Sequence, residues 1–140
     1  MKVIQAHIED IKAVRAITAT APFPPKAFGK NPREVFDKAV EMFRILREIC
    51  NHLAISGVEL PPTPREVLPR DLFNSTVKVI QHLVTLKRRI GAADRAIPAK
   101  ANLRISPSHV YGEAVKINSE LELIRQSFAE VERAKVHPSR

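Results

Sequence analysis

The sequence contains no tryptophan, one tyrosine, four glycines and a single cysteine among its 140 residues. Each shortage excludes something. Aromatics at 5% leave the core to aliphatic side chains. The lone Cys50 cannot form an intramolecular disulfide. It adjoins the periodic apolar residue Ile49 and reads as a buried structural thiol. None of the glycine-rich phosphate-binding or nucleophile-elbow patterns is present. Neither Cys-x-x-Cys-His nor Glu-x-x-His occurs, so covalent haem and the carboxylate–histidine pattern of di-iron bundles are missing. No catalytic residue, metal ligand or cofactor site is assigned, and an enzyme is the minority reading.

Long apolar runs are also missing. No stretch approaches the roughly 20 apolar residues of a membrane span. Glu9, Asp10, Lys12 and Arg15 interrupt what would otherwise resemble a signal-peptide core. A complete chain is therefore expected in the cytoplasm. If Met1 instead heads a processed domain, a periplasmic or secreted home stays open.

What the chain does have is one helix written three times. Pro32, Pro69 and Pro107 open segments that repeat with a period of about 37 residues. Counted from each proline, the same places are apolar or small: Val35/Leu72/Val110, Ala39/Thr76/Ala114, Met42/Val79/Ile117, Leu46/Leu83/Leu121, Ile49/Leu86/Ile124 and Leu53/Ile90/Phe128. They alternate by four and three, which makes an inward-facing seam. A second row flanks it, with Phe36, Val40 and Phe43 in the first copy and Phe73, Val77, Ile80 and Val84 in the second. The third copy of that row begins Tyr111, Val115. Two adjacent rows call for neighbours on two sides.

The expected fold is all-α: a single domain over residues 1–140, built as a four-helix bundle of three similar long helices plus an N-terminal helix. The first helix is placed near 2–20, from Ile4, Ile8, Ile11, Val14 and Ile17. A homo-oligomer would suit the wide stripes, especially if this helix, with Lys12 and Arg15 near its seam, closes the bundle poorly. Asn31 caps the second helix, with Pro32 at its first position and Glu34 completing a capping box; Gly57 marks its end. The third is placed at 69–90, preceded by a short capped turn at 64–67, and the fourth at 107–135. A solenoid is the alternative, because the period is close to that of helical-hairpin repeats. The proline-containing connectors are long enough to cross the bundle end, which argues against simple up–down topology. Their Pro-x-x-Pro motifs are explained by helix punctuation.

The net charge is +8, and segment 69–106 carries most of the excess. Residues 32–56 and 107–140 each balance to zero. Lys87, Arg88, Arg89, Arg95, Lys100 and Arg104 form a candidate polyanion-binding segment over 87–104, for nucleic acid or an acidic partner. The competing reading of Lys87-Arg88-Arg89 is complementation of a helix C-terminus. Phe23 and Phe28 share one connector. They are expected to be buried by a loop folded over the bundle end; exposed, they would be a partner contact. The small residues Ala39, Thr76 and Ala114 fall at one level and would suit a small-molecule pocket in a sensory bundle, or simply close packing. The favoured function is a structural or protein–protein interaction module that binds another protein or itself.

Overall fold

The computed structural model describes residues 2–25, 28–92 and 107–136. Four helices account for most of them: α1 (Lys2–Val14), α2 (Pro32–His52), α3 (Pro69–Ile90) and α4 (Pro107–Val136). No strand occurs among the described residues, and the helices pack on one another as a four-helix bundle. Ile4, Ile8 and Ile11 of α1 join Met42, Leu46, Ile49, Val79, Leu83, Leu86, Ile117, Leu121 and Ile124 of the repeated seam in one aliphatic core.

Each repeat proline starts its helix, where its missing N–H costs nothing and its fixed φ suits the first turn. Asn31 Oδ1 accepts from Glu34 N at 2.9 Å, and Asn31 N donates to Glu34 Oε2 at 3.3 Å, a complete capping box. At α3 the cap residue is Leu68, which has no side-chain acceptor; only the return bond forms, Leu68 N to Asp71 Oδ2 at 2.8 Å. No capped turn forms at 64–67. The chain merely bends at Arg65 and Glu66 before entering α3.

The first two helices end earlier than the sequence suggests, and for one reason. Ala16 and Ala54 adopt left-handed φ values of 55°, and Gly91 does the same at 75°. Ile17 N then bonds Lys12 O, Ile55 N bonds Cys50 O and Ala92 N bonds Lys87 O, each at 2.9 Å. These are three copies of the Schellman ending. Ile17 and Ile55 turn back onto the core. Ile17 therefore fulfils its apolar role beyond the helix rather than within it. Gly57 (φ 98°) lies out in the connector and does not cap α2.

Sequence neighbours are not all spatial neighbours. α2 packs on α3 and most extensively on α4, while α1 packs on α3 and more briefly on α4. Among the described residues, α1 does not touch α2 and α3 does not touch α4. The order around the bundle is α1, α3, α2, α4.

The three repeat helices also run the same way. Lys30 N meets Ser108 Oγ at 2.9 Å, Asn118 Nδ2 meets Lys38 O at 3.1 Å, and Arg125 Nε meets Glu48 Oε2 at 3.5 Å. Below these, the Phe128 ring stacks on His52 at 6.4 Å. Positions rise together along both chains, so α2 and α4 are parallel. Phe43 against His82 (5.9 Å) and Leu53 O against Arg89 (3.1 Å) make α2 and α3 parallel as well. The connector 53–68 must therefore return the full length of α2. A 21-residue helix rises about 32 Å, and 16 extended residues reach about 53 Å, so the span is easily covered. Ile55, Val58 and Leu60 pack on the core as it passes.

Candidate interaction surface

Parallel register gives each repeat helix two distinct flanks. Phe128 of α4 meets His52 of α2, and Leu53 of α2 meets Arg89 of α3. Phe128 and Leu53 hold equivalent places in the repeat, and so do His52 and Arg89. One interface is thus used twice: the flank row of one helix docks on the receiving flank of the next. The row Tyr111, Val115, Asn118 of α4 faces α2, and Phe36, Val40, Phe43 of α2 faces α3.

α1 closes the ring by standing in for a fourth repeat. On α4 it engages the receiving flank. Lys12 Nζ bonds Glu120 Oε2 at 2.8 Å, with both side chains 5% exposed, and Arg15 lies over the Phe128 ring at 4.1 Å. Arg15 also reaches Ser127 Oγ at 3.4 Å, and Ala21 N donates to Glu120 Oε1 at 3.2 Å. Glu120 and Ser127 are the α4 equivalents of His82 and Arg89. Lys12 is thus accommodated between α1 and α4 as a buried ion pair.

On α3, α1 engages the lower end of the flank row. Lys87 is 2% exposed; its ammonium donates to Asp10 Oδ2 at 2.8 Å and to His7 Nδ1 at 3.0 Å. An ammonium has only donors, so His7 accepts at Nδ1 and carries its proton on Nε2. Lys87 accordingly leaves the polyanion-binding set: its charge is consumed inside the protein. The signal was in the spacing, since Phe73, Val77, Ile80, Val84 and Lys87 continue one four–three row. Arg88 and Arg89 remain on the surface, with Arg89 Nη2 held on Leu53 O. Arg95, Lys100 and Arg104 lie outside the described residues.

α1 is shorter than α3 and leaves the upper part of that row uncovered. Phe73 is 68% exposed, whereas the equivalent Phe36 is 2% exposed. Val77 is exposed, and Ile80 is only partly buried. Phe23 and Phe28 are 83% and 75% exposed, which corrects the expectation of burial. A loop crossing the bundle end does not reach the core because Ala21, tied to Glu120, takes the last buried place. Phe23 instead lies under the Lys116 ammonium, 3.5 Å from the ring centroid. Phe28 lies three residues before the α2 cap Asn31, and Phe73 lies in the first turns of α3. Both sit at the bundle end where the repeat helices begin.

Reactive groups are quiet. Cys50 is 1% exposed, and burial pushes its thiol above the usual range, which disfavours the thiolate. His82 is held below its ordinary value, first by burial and then by the neighbouring Lys78 charge. Among the described residues no group of three His, Cys, Asp or Glu side chains is arranged to hold a metal ion. Nor is any described helix long and apolar enough to cross a membrane. Ala39 and Ala114 are both buried, and Thr76 Oγ1 bonds its own helix at Leu72 O. A groove does lie beside that level, between α2 and α4, lined by Lys38, Glu41, Val115, Asn118, Ser119 and Glu122. The sequence matches no protein-family model, and neither the curated proteins nor the solved structures yield a match.

Proposed function

We propose that this chain is a non-enzymatic interaction module that takes an amphipathic helix of another protein onto the uncovered flank of α3. The contrast between Phe73 and Phe36 carries this reading. The row that is buried at Phe36 and Phe43 on α2, and half-buried at Tyr111 and Val115 on α4, stands open on α3 at Phe73 and Val77. The occupant it fits is a helix lying alongside α3 in the manner of the two internal interfaces. Among the described helices a second copy offers none with an open receiving flank: α4 fills that of α2, α2 that of α3, and α1 that of α4. Phe28 and Phe23 extend the apolar surface near the same end of the bundle. The chemistry-bearing side chains His7, Asp10, Lys12, Lys87 and Glu120 are spent on internal pairing, which favours a binding role over catalysis.

A photo-crosslinker placed at Phe73, with one at exposed Gln126 on α4 as the control, tests the assignment. The expected result is a heterologous adduct at position 73 only, mapping to a helix of the partner. With that partner purified, Phe73→Asp should weaken binding about thirtyfold, the effect of roughly 2 kcal/mol at an aromatic anchor. Helicity should be unchanged. A symmetric adduct between two copies, or unaltered affinity in the variant, overturns the reading.

A further inference from the structure

α2 carries no net charge, so nothing in its composition marks it as cationic. Its pairing with α3 changes that. Phe43 against His82 fixes the register of the two helices, and the residues one turn away on the same faces are Arg47 on α2 and Lys78 on α3. Arg44 adjoins Phe43 on the outer side, and Arg89 lies two turns below His82. Arg44, Arg47, Lys78 and Arg89 are all exposed. The four cations follow the outside of the α2–α3 seam over about 17 Å, the rise between Lys78 and Arg89.

The nearby acids, exposed Asp37 of α2 aside, are engaged elsewhere. Glu48 turns to Arg125 of α4 at 3.5 Å, Glu41 pairs with Lys38 at 3.2 Å, and Asp71 accepts from Leu68 N. Among the described residues no ion pair engages Arg44, Arg47 or Lys78. The positive field also reaches His82, whose proton affinity Lys78 helps to lower.

We infer that the outer seam between α2 and α3 is a binding site for the phosphodiester backbone of nucleic acid. Arginine supplies three of the four cations, and its planar fork matches phosphate oxygens. The seam offers no exposed apolar anchor of the kind a protein interface needs, since Phe43 is 0% exposed. It equally offers no aromatic face for a base, so binding is to the backbone and indifferent to sequence. The site is separate from the apolar row of α3, and each can fail without the other.

Fluorescence anisotropy with a short DNA duplex of arbitrary sequence tests it. Four phosphate contacts predict a slope of log affinity against log salt of about −3.6 between roughly 50 and 200 mM. Arg44→Gln with Arg47→Gln and Lys78→Gln should reduce the slope to about −0.9, for the one contact left, and weaken binding at least tenfold at low salt. Lys116→Gln, a cation on α4, should change neither, and circular dichroism should show all variants folded. Three results overturn the assignment. One is no binding at the lowest salt. Another is binding that survives the triple substitution but is lost in Arg95→Gln with Lys100→Gln and Arg104→Gln. The third is polyglutamate competing as well as DNA, which would move the site to acidic polypeptides.

Discussion

Replacing Lys87 by methionine separates two roles for a lysine in a basic run. On the surface, the change would cost almost nothing in stability and would weaken anion binding. In the interior, it removes the cation that holds Asp10 and His7 against α3. The Lys87 side chain is 2% exposed and that of Asp10 is 12% exposed, with 2.8 Å between the charges. Breaking a buried pair on one side costs about 3–5 kcal/mol where the remaining charge stays buried, and less where it keeps other contacts or water. Since Asp10 keeps some access to water, the lower end applies, about 3 kcal/mol. For a domain of this size each kcal/mol moves the midpoint by roughly 3 °C, so Tm should fall by about 9 °C. Methionine preserves the apolar length of the stem, which isolates the charge. Removing both charges, Lys87→Met with Asp10→Leu, should recover most of the loss, leaving a deficit within about 1 kcal/mol. Thermal and urea unfolding followed by circular dichroism at the helix band measure all three proteins. A single variant within about 0.5 kcal/mol of the wild type, the range of ordinary surface changes, would refute the buried role. So would a double variant no better than the single one.

Three further outcomes follow from the fold. Ala54→Gly should stabilise by about 1 kcal/mol, since a left-handed L-residue costs roughly 1–2 kcal/mol and glycine recovers most of it; unchanged urea midpoints would count against the Schellman ending at α2. The His82 imidazole should titrate below its ordinary 6.5 by NMR, and Lys78→Gln should restore only part of the difference because burial is the larger cause. The sign follows: folding favours neutral His82, so its stabilising contribution is complete above about pH 6.5 and is lost as pH falls toward and through the lowered value. A midpoint at or above 6.5 would contradict the placement of that ring. Cys50 should resist alkylation at neutral pH in the native protein and react at the ordinary thiol rate once unfolded; rapid native modification would contradict its burial.

The repeat prolines made the starts of α2, α3 and α4 legible, because proline at a first turn acts through local sterics. Helix ends were harder. Ile17 keeps the apolar spacing of α1 although it lies beyond the helix, and an alanine in the left-handed region leaves no compositional trace at Ala16 or Ala54. The seam residues were readable from period alone. Which helix each flank meets was not, since a repeated face states that copies have similar surroundings without saying which copy supplies them. Charge counted along the chain misled twice. It put Lys87 on the surface with its neighbours, and it hid Arg44 and Arg47 inside a neutral helix. In both cases the deciding quantity was which side of the helix the cation occupies.

The parallel arrangement has a consequence for how the chain acquires its structure. Antiparallel neighbours joined by short turns can zip from the turn outward. Here the connector between α2 and α3 must first travel back along the bundle, so contact between those helices begins only after a substantial loop has closed. Among the last partners to meet are the distant ones: Lys12 and Glu120 are separated by 108 positions, Arg15 and Ser127 by 112. α1 is synthesised before α4, so its lysine must wait for the carboxylate that buries it. The nascent chain therefore carries α1 without its α4 partner until that helix is made, and folding should be slower than helix content alone suggests. Completion of the bundle is in effect a check that α4 has been made.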